Sequence, residues 1–439
     1  MSTRSGNARW RLRTVAVSAI VALVAVMAGT TASASNSQSK ADQTSPGVTS
    51  NSILIGSHQP LTGIAAAGYD EIAPAENAFY QYINSKGGVN GRKITFKYLD
   101  DAYNPAQTTT VVRQLVLQDN VFGIVSGLGT PTHEAVVPYL NANKVPDLFV
   151  ASGCDCWNNP KKAPFTFGYQ TDYTIEAKIL GKYVTGHFGG QKVGVIYQND
   201  DVGQGALKGI PQEVPKSVIV AKQPYSVNDL TSASGLANQV SAMKSAGAQV
   251  VIVFAVNFGA ALILKESAQI GYKPQFVMAN IGADPPTIDG LLGTGNTALQ
   301  NGVITDGYLP SENDLSNPWV ALFKKIHDQY DASEPFDGNA IYGMSAGYLF
   351  TQAVKGAGKN LTRQGVINAL NSKGASYKGP GLVPLAFSSS DHGGYTGAQI
   401  ATVNNSVLTA SGPVFVTNDT GPITAYTGGQ PAPPASLTG

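Results

Sequence analysis

The amino-acid sequence predicts an α/β protein of two lobes, each built from a parallel sheet covered by helices. Three observations support this fold class. Short β-branched runs alternate with amphipathic helical segments from residue 52 onward, the alternation restarts after Tyr169, and 439 residues exceed what one hydrophobic core normally supports. Ligand sites in such sheets lie beyond the carboxyl ends of the strands, so the loops there are the places to search for function.

The first 34 residues are predicted to be a signal peptide. Four arginines precede an apolar run at residues 15–28, and Ala32-Ser33-Ala34 has the small-residue pattern of a cleavage site. The apolar run is shorter than the roughly 18 to 20 residues that cross a bilayer. No cysteine follows it for lipid attachment. We therefore expect cleavage near Ala34 and a protein secreted into the periplasmic or cell-wall space, with no direct membrane insertion afterwards.

The charge of the mature chain argues against nucleic acid as a partner. Without the leader, 25 basic residues stand against 28 acidic ones, a net charge of −3. Phosphate contacts need clustered lysine and arginine, and the sequence has no such cluster. Export and a near-neutral charge instead favour a small molecule or a protein as the partner.

The first α/β unit follows a strand–helix alternation. A helix at about residues 70–86 has its apolar side chains on one face and ends at Gly87-Gly88. Asn104-Pro105 indicates an N-cap followed by a first-turn proline, which begins the next helix. The predicted strands are residues 52–56, 94–99, 121–126 and 147–150, and a third helix is predicted at residues 132–143.

The second unit repeats the pattern, and both ends of the mature chain lack it. Helices are predicted at residues 173–188, 230–246 and 258–271, and strands at residues 192–197, 249–255 and 275–279. Residues 35–51 are polar and without periodicity, which is typical of a flexible arm. Residues 417–439 are rich in Pro, Gly, Thr and Ser, and we expect a disordered tail there.

Several segments of the first unit resemble the leucine/isoleucine/valine-binding proteins. The segment Tyr98-Leu99-Asp100-Asp101-Ala102-Tyr103-Asn104-Pro105 has their acidic pair and helix start. Asn84-Ser85-Lys86-Gly87-Gly88-Val89-Asn90-Gly91 has their helix-ending pattern N-x-x-G-G-x-x-G. Ile55-Gly56 and Leu61-Thr62-Gly63 are similar to their opening strand and loop. The similarity extends from about Ser52 to Phe415.

This resemblance implies a periplasmic-binding-protein type I fold, with two Rossmann-like lobes joined by three crossovers. Lobe one would comprise residues 52–170 plus 308–376, and lobe two residues 171–307 plus 377–416. The family captures a small molecule between the lobes and feeds an ABC permease complex at the membrane. It is not an enzyme family, and it implies neither a cofactor nor a metal.

The resemblance also places ligand contacts on lobe one. The loop Gly127-Leu128-Gly129-Thr130-Pro131 follows a strand and begins a helix, and its matching loop in the family captures the ligand's carboxylate with backbone N–H and hydroxyl groups. The next strand ends at Ala151-Ser152-Gly153-Cys154, where the family supplies further contacts. Tyr69 could close over an apolar group or cap the core. The lobe-one candidates are Tyr69, Gly129, Thr130, Ser152, Gly153 and Cys154.

Lobe two departs from the family pattern. Amino-acid binders have an acidic residue after the strand that corresponds to residues 275–279, whereas the aligned position here is close to Ile281. Asn280 and Asp284 lie in the same loop and are the lobe-two candidates. Without a clear partner for an ammonium group, a zwitterion would leave one charge poorly compensated. A carboxylate with an apolar body, or a neutral amide, fits this sequence better than a branched-chain amino acid.

Three other features have competing interpretations. Cys154 and Cys156 are the only cysteines, and export favours a disulfide between them over two free thiols or a metal site with His133 or His392. Gly343-Met344-Ser345-Ala346-Gly347 satisfies the hydrolase pattern G-x-S-x-G, but its helical spacing favours close helix packing. The five histidines are scattered, and we expect surface or capping positions.

One alternative to import uses the same fold. A ligand-sensing module that acts through a partner receptor would have the same two lobes and the same cleft. The third function considered, a serine hydrolase, would require Ser345 at a strand-to-helix turn.

Overall fold

The first lobe contains a five-stranded parallel sheet. The computed structural model describes residues 45–232 and 234–438. The strands are β1 (Ser52–Gln59), β2 (Lys93–Asp100), β3 (Ile124–Val125), β4 (Asp147–Val150) and β5 (Thr166–Gly168). The helices between them are α1 (Ile72–Ser85), α2 (Pro105–Leu117), α3 (Thr130–Glu134) and α4 (Val137–Ala142). The sheet order is β2-β1-β3-β4-β5, the doubly wound arrangement that the alternation predicts.

The second lobe repeats this construction. Its strands are β6 (Val193–Gln198), β7 (Ile219–Tyr225), β8 (Val250–Phe254), β9 (Gln275–Met278) and β10 (Ile304–Gly307). Its helices are α5 (Tyr173–His187), α6 (Asp201–Glu213), α7 (Ala237–Ser245), α8 (Asn257–Gln269) and α9 (Pro285–Leu292). The order β7-β6-β8-β9-β10 is parallel throughout, and residues 250–254 are fully buried, as a central parallel strand requires.

The chain then returns to each lobe once more. Helices α10 (Pro318–Tyr330), α11 (Gly338–Ala357) and α12 (Arg363–Lys373) share the hydrophobic core of the first sheet. Strands β11 (Gly397–Asn404), β12 (Val407–Val416) and β13 (Thr424–Ala425) extend the second sheet antiparallel beyond β10. The two-lobed α/β fold is therefore confirmed, with lobe one around the first sheet and lobe two around the second.

Local signals account for two helix ends. The Asn104 side chain accepts hydrogen bonds from the backbone N–H groups of Ala106 and Gln107, and Pro105 is the first residue of α2, so the predicted cap is confirmed. The single helix predicted at residues 132–143 is wrong, because α3 ends at Glu134 and α4 begins at Val137. Pro138 has no N–H to donate, so it suits the first turn of a new helix and not the interior of a continuous one.

Both polar ends of the described chain are packed, in contrast to the flexible arm and disordered tail that composition predicts. Val48 is buried in the lobe-one core and pairs with Ile53. In the tail, Lys178 Nζ donates to the backbone oxygens of Asn418 and Gly421 in lobe two, and Leu437 is buried in lobe one. The tail thus passes from lobe two to lobe one. It is held by hydrogen bonds to its backbone and by single buried side chains, since its composition offers little apolar surface to bury.

Two further sequence predictions concern membranes and export. The signal peptide and the first ten residues of the arm lie outside the described residues. Within residues 45–232 and 234–438, no helix combines the length and the apolar character that crossing a bilayer requires.

Candidate functional site

The candidate site is a cavity between the lobes, at the carboxyl ends of both sheets. Its walls include Thr130 and Gln170 from lobe-one strand ends, and Asn257 and Asp306 from lobe two. The cavity measures about 120 Å³, comparable with the engineered cavity of ~150 Å³ that holds benzene. A ligand enclosed here is therefore a small molecule.

The lobes touch each other around this cavity. The Tyr69 hydroxyl in lobe one donates a hydrogen bond to the carbonyl oxygen of Ile281 in lobe two. Lys208 Nζ of lobe two lies 2.5 Å from Asp155 Oδ2 of lobe one, and both side chains are partly exposed. These contacts describe a closed arrangement of the two lobes.

Tyrosines supply much of the cavity wall. Their rings present apolar faces, and burial raises the pKa of each hydroxyl, to about 12 for Tyr173. The hydroxyls therefore stay neutral and can donate or accept hydrogen bonds. The tyrosines concerned are Tyr69, Tyr103, Tyr173, Tyr308 and Tyr342.

The lobe-two wall contains polar atoms that lack hydrogen-bond partners. Both amide atoms of Asn257 and the hydroxyl of Thr305 are buried without a hydrogen-bond partner among the described residues, and the buried carboxyl of Asp306 has a second acid, Glu176, as its neighbour. Buried polar groups are almost always paired, and each unpaired one costs on the order of 1 to 3 kcal/mol. A bound molecule that donates hydrogen bonds would remove this cost.

Asp306 shares its surroundings with a second acid, Glu176 of α5. Burial, followed by the charge of Glu176, raises the pKa of Asp306 well above its ordinary range. Burial also raises the pKa of Glu176 to about 7, and Glu176 Oε1 accepts a hydrogen bond from the Asn280 backbone N–H. The pair therefore retains a proton near neutral pH, and a cation or a strong donor could replace that proton.

The charged residues that line the cavity are all acidic. Asp284, Asp306 and Glu312 line it, and the described lining residues include no lysine, arginine or histidine. Asp284 caps α9 by accepting from Thr287, and burial followed by the charge of Asp337 raises its pKa to about 7. A ligand with an amino or amide group suits these walls better than an isolated carboxylate.

The structure brings most of the sequence-predicted residues to the cavity but changes the expected role of one. Tyr69, Gly129, Thr130, Asn280 and Asp284 line the wall. The Gly129 N–H donates to the Ala151 carbonyl oxygen at 3.1 Å, so it is already used and is not available for a carboxylate. Helix α3 has only five residues, so its dipole adds little attraction for an anion.

Three predicted site residues shortly after β4 (Ser152, Gly153 and Cys154) lie behind the wall. Ser152 is buried and its Oγ lies 2.6 Å from Thr130 Oγ1. The Gly153 carbonyl oxygen accepts from the Tyr173 N–H. Cys154 packs with Val150 and Trp157 and is joined to Cys156 by a disulfide. These residues support Thr130 and Tyr173 and do not themselves line the cavity.

Sequence reasoning missed the residues at the end of β10 and a polar cluster in lobe one. Asp306 lies near the end of β10, the last parallel strand, and Tyr308 directly follows that strand. This position at a strand end is the signal that could have identified both residues. The prediction that the histidines occupy surface or capping positions is wrong for His58, His133 and His392, whose side chains are buried. His133 follows the loop that begins at Gly127, a position that pattern alone does not distinguish from a surface residue.

The G-x-S-x-G segment lies in the middle of α11 and not at a strand-to-helix turn. A Cβ added to Gly343 would lie 2.2 Å from the Ile72 carbonyl oxygen, so this glycine allows α1 and α11 to pack closely. The Ser345 side chain is buried, and His392 bonds Asn371 and the Thr166 carbonyl oxygen. This confirms the packing interpretation of the segment.

Comparisons with known proteins agree with this architecture. The family model "Periplasmic binding protein" matches residues 52–409. The chain is 26% identical over 343 residues to the Leu/Ile/Val-binding protein homolog 2 of Brucella abortus, covering 73% of this chain and 83% of that protein.

Solved structures show the same fold at low identity. The fatty acid ABC transporter substrate-binding protein from Thermomonospora curvata aligns with a TM-score of 0.76 at 20% identity, covering 89% of this chain and 97% of that one. A branched-chain amino acid ABC transporter structure from Thermus thermophilus with bound valine aligns at 0.73 and 19% identity, covering 84% and 98%.

Proposed function

Since the chain belongs to the periplasmic binding protein family, we propose that it captures a small organic molecule between its lobes and delivers it to an ATP-driven importer. The observation that carries this proposal is the closed cavity whose lobe-two wall holds the unpaired polar atoms of Asn257, Thr305 and Asp306. Such a wall is satisfied by a guest that donates hydrogen bonds, and its burial is the driving force for closing the lobes.

We propose an amino-acid-like ligand, with its two polar ends on opposite walls. Thr130 of lobe one, together with Tyr173 at the start of α5 in lobe two, offers neutral hydroxyls to a carboxylate or amide oxygen. On the lobe-two wall, Asp306 with Glu176 is the acid that receives an amino group. The sequence suggested that lobe two lacked such a partner, and Asp306 supplies one from a different strand.

The named ligands of two similar structures sharpen this choice. One structure is described with bound valine, and another is named a fatty acid ABC transporter substrate-binding protein. A cavity of about 120 Å³ with acids and without a described basic residue favours the first kind of ligand. We therefore place the ligand of this chain among small amino acids and their amides.

A matched set of three probes tests the ligand class. L-leucine carries both polar ends, 4-methylpentanoate keeps only the carboxylate, and 3-methylbutylamine keeps only the amine. We expect leucine to raise the melting temperature most, since a ligand at 100 times its Kd stabilises by about 2.7 kcal/mol. Asp306→Asn should abolish the preference for the amine-bearing probes, whereas Glu334→Gln, at an exposed carboxyl, should leave it unchanged.

Two results would contradict the proposal. If 4-methylpentanoate stabilised the protein as well as leucine did, the amino-acid-like class would be wrong. If no amino acid, amide or aromatic acid changed either the melting temperature or the small-angle scattering profile, or if a solute were consumed, the binding function itself would be wrong. Delivery to an importer is tested separately, by loss of uptake of the identified ligand in a deletion strain and its restoration by the wild-type gene alone.

A further inference from the structure

A chain of four buried side chains crosses lobe one beneath the cavity. Asp101 Oδ2 lies 2.8 Å from His58 Nδ1, His58 Nε2 lies 2.9 Å from His133 Nδ1, and His133 Nε2 lies 2.9 Å from Asp147 Oδ2. All four side chains have at most 1% of their surface exposed. We call Asp101, His58, His133 and Asp147 the polar relay.

The ends of the polar relay are fixed by hydroxyl donors. Thr108 Oγ1 donates to Asp101 Oδ2 at 2.7 Å, and Thr166 Oγ1 donates to Asp147 Oδ2 at 2.7 Å. Both carboxyl groups therefore accept hydrogen bonds from outside the relay. The charged groups that act on His58 are Asp101, His133 and Asp147, and Trp157 meets the His133 ring edge-on.

The three contacts need three protons. Without a proton between them, the two heavy atoms of each contact would face each other as lone-pair acceptors at 2.8 or 2.9 Å. An ionised carboxylate carries no proton and a neutral imidazole carries one, so the four groups in these states supply two protons. The observed geometry therefore requires one proton more, which makes the two rings together a monocation between two carboxylates.

The relay is built into the loop that lines the cavity. A Cβ added to Gly127 would lie 2.6 Å from both His58 Nε2 and His133 Nδ1, so the backbone of this loop lies directly over their contact. The Leu128 N–H donates to the His58 carbonyl oxygen at 3.2 Å. His133 belongs to α3, whose first residue, Thr130, lines the cavity.

We infer that His58 and His133 share one extra proton, and that this proton holds α3 and the Gly127–Thr130 loop in the geometry that lines the cavity. The two histidines are thus positioning residues for the site. When the proton is lost, each ring keeps the proton that it donates to its own carboxylate, because hydrogen bonds to charged groups are the stronger ones. The two ring nitrogens then face each other as acceptors at 2.9 Å, and their repulsion displaces His133 together with Thr130. Ligand affinity then falls as pH rises through the titration of the pair. The link to affinity rests on the proposed function, whereas the shared proton does not.

Burial and charge set the range in which this occurs. Burial lowers the pKa of His58, and the contact with Asp101 opposes that effect. Because the loop keeps its geometry only while the extra proton is present, the protein should hold the loop best on the acid side of the titration of the pair.

The test uses the full mature protein labelled with ¹⁵N-histidine, without a ligand. We expect the ring nitrogens of His58 and His133 to titrate together, with one proton for the pair. Asp147→Asn removes a negative charge at hydrogen-bonding distance and should lower the midpoint by about 1 to 3 pH units. Thr166→Val removes a donor to Asp147, makes that carboxylate a stronger partner, and should raise the midpoint. His187→Gln, at an exposed histidine, is the control and should leave it unchanged.

Opposite shifts in these two variants are the signature, and a merely structural role would not produce them. The inference is overturned if the two rings titrate independently, or if Asp147→Asn and Thr166→Val leave the midpoint where it is in the wild-type protein. If Asp147→Asn does not fold, Thr166→Val and its counterpart Thr108→Val at the other end should both raise the midpoint, and an unchanged midpoint in both variants overturns the inference. The affinity of L-leucine should follow the same midpoints, and failure of leucine to bind would count against the proposed ligand while the nitrogen titration still decides the shared proton.

Discussion

The two walls of the cleft differ in how their buried polar side chains are paired. On lobe one, the charged groups beneath the cavity are paired with one another, from Thr108 through the polar relay to Thr166. On lobe two, Asn257, Thr305 and Asp306 are buried without side-chain partners that satisfy them among the described residues. The relay pairs its own charged groups, whereas we propose that a bound molecule pairs the groups of lobe two. The contrast predicts that substitutions in the relay change the shape and stability of the site, whereas substitutions at these lobe-two residues change which ligand it accepts.

The largest effect should come from breaking the complete wall. His58→Ala leaves the Asp101 carboxylate and one nitrogen of His133 buried without their partners. Removing one member of a buried charged pair costs about 3 to 5 kcal/mol. Urea denaturation should show a loss of this size in the free energy of unfolding. A loss below about 1 kcal/mol, which is typical of an exposed ion pair, would show that the buried contacts of the relay do not stabilise lobe one.

Substituting an acid of lobe two should change the free energy of unfolding less than His58→Ala does, and should raise it above neutral pH. Between the ordinary carboxyl pKa of about 4 and the value of about 7 for Glu176, the folded protein holds a proton that the unfolded chain has released. Stability therefore falls as pH rises through that interval. Asp306→Asn should flatten this fall and stabilise the protein above pH 7, by on the order of 1 kcal/mol for each pKa unit removed.

Melting curves of the wild-type protein and Asp306→Asn from pH 5 to about pH 8 measure this difference. Equal slopes for the two proteins would mean that the acid pair is solvated and does not store the proton.

A single hydroxyl should show the same contrast on a smaller scale. Thr305 Oγ1 has no partner among the described residues, so Thr305→Val removes an unsatisfied group and keeps the shape of the side chain. We expect the protein without ligand to gain up to about 1 kcal/mol and the affinity for leucine to fall. On lobe one, Thr166→Val removes a hydroxyl that donates to Asp147, and it should destabilise the protein. The same sign for both variants would contradict the contrast between the walls.

The smallest effect should come from the rim of the cleft. Glu134 of lobe one lies beside Asp201 of lobe two, and burial followed by this neighbour raises the pKa of Glu134 to about 8. Closure therefore takes up a proton, and it should weaken as pH rises toward that value. Glu134→Gln should make leucine affinity less dependent on pH near pH 8, by a few-fold at most since the side chain is only partly buried. An unchanged pH profile would mean that the two carboxyls separate in solution.

The sequence predicted the fold well because the fold depends on patterns. The alternation of strands and helices and the Asn104 cap act locally, and each has the expected structure; the small residues of α11 indicated close helix packing, which the contact of Gly343 with α1 confirms. The site was predicted in part, since Gly129 and Thr130 follow a strand and strand ends converge. Asp306, His58 and His133 could not be predicted, because their roles come from partners 75 or 130 residues away in the chain, at His133 for His58 and at Glu176 for Asp306. The composition of residues 417–439 predicted disorder, whereas a few hydrogen bonds and single buried side chains hold the tail on the lobes.

That tail changes the mechanics of the molecule. Residues 417–421 are bound to α5 and α6 of lobe two, while the Trp319 indole N–H of lobe one donates to the Pro431 carbonyl oxygen. The backbone therefore passes between the lobes four times, where three passages would suffice for a simple clamp. Any relative movement of the two lobes therefore has to bend four backbone connections, and it also has to preserve or break the hydrogen bond between Trp319 and Pro431.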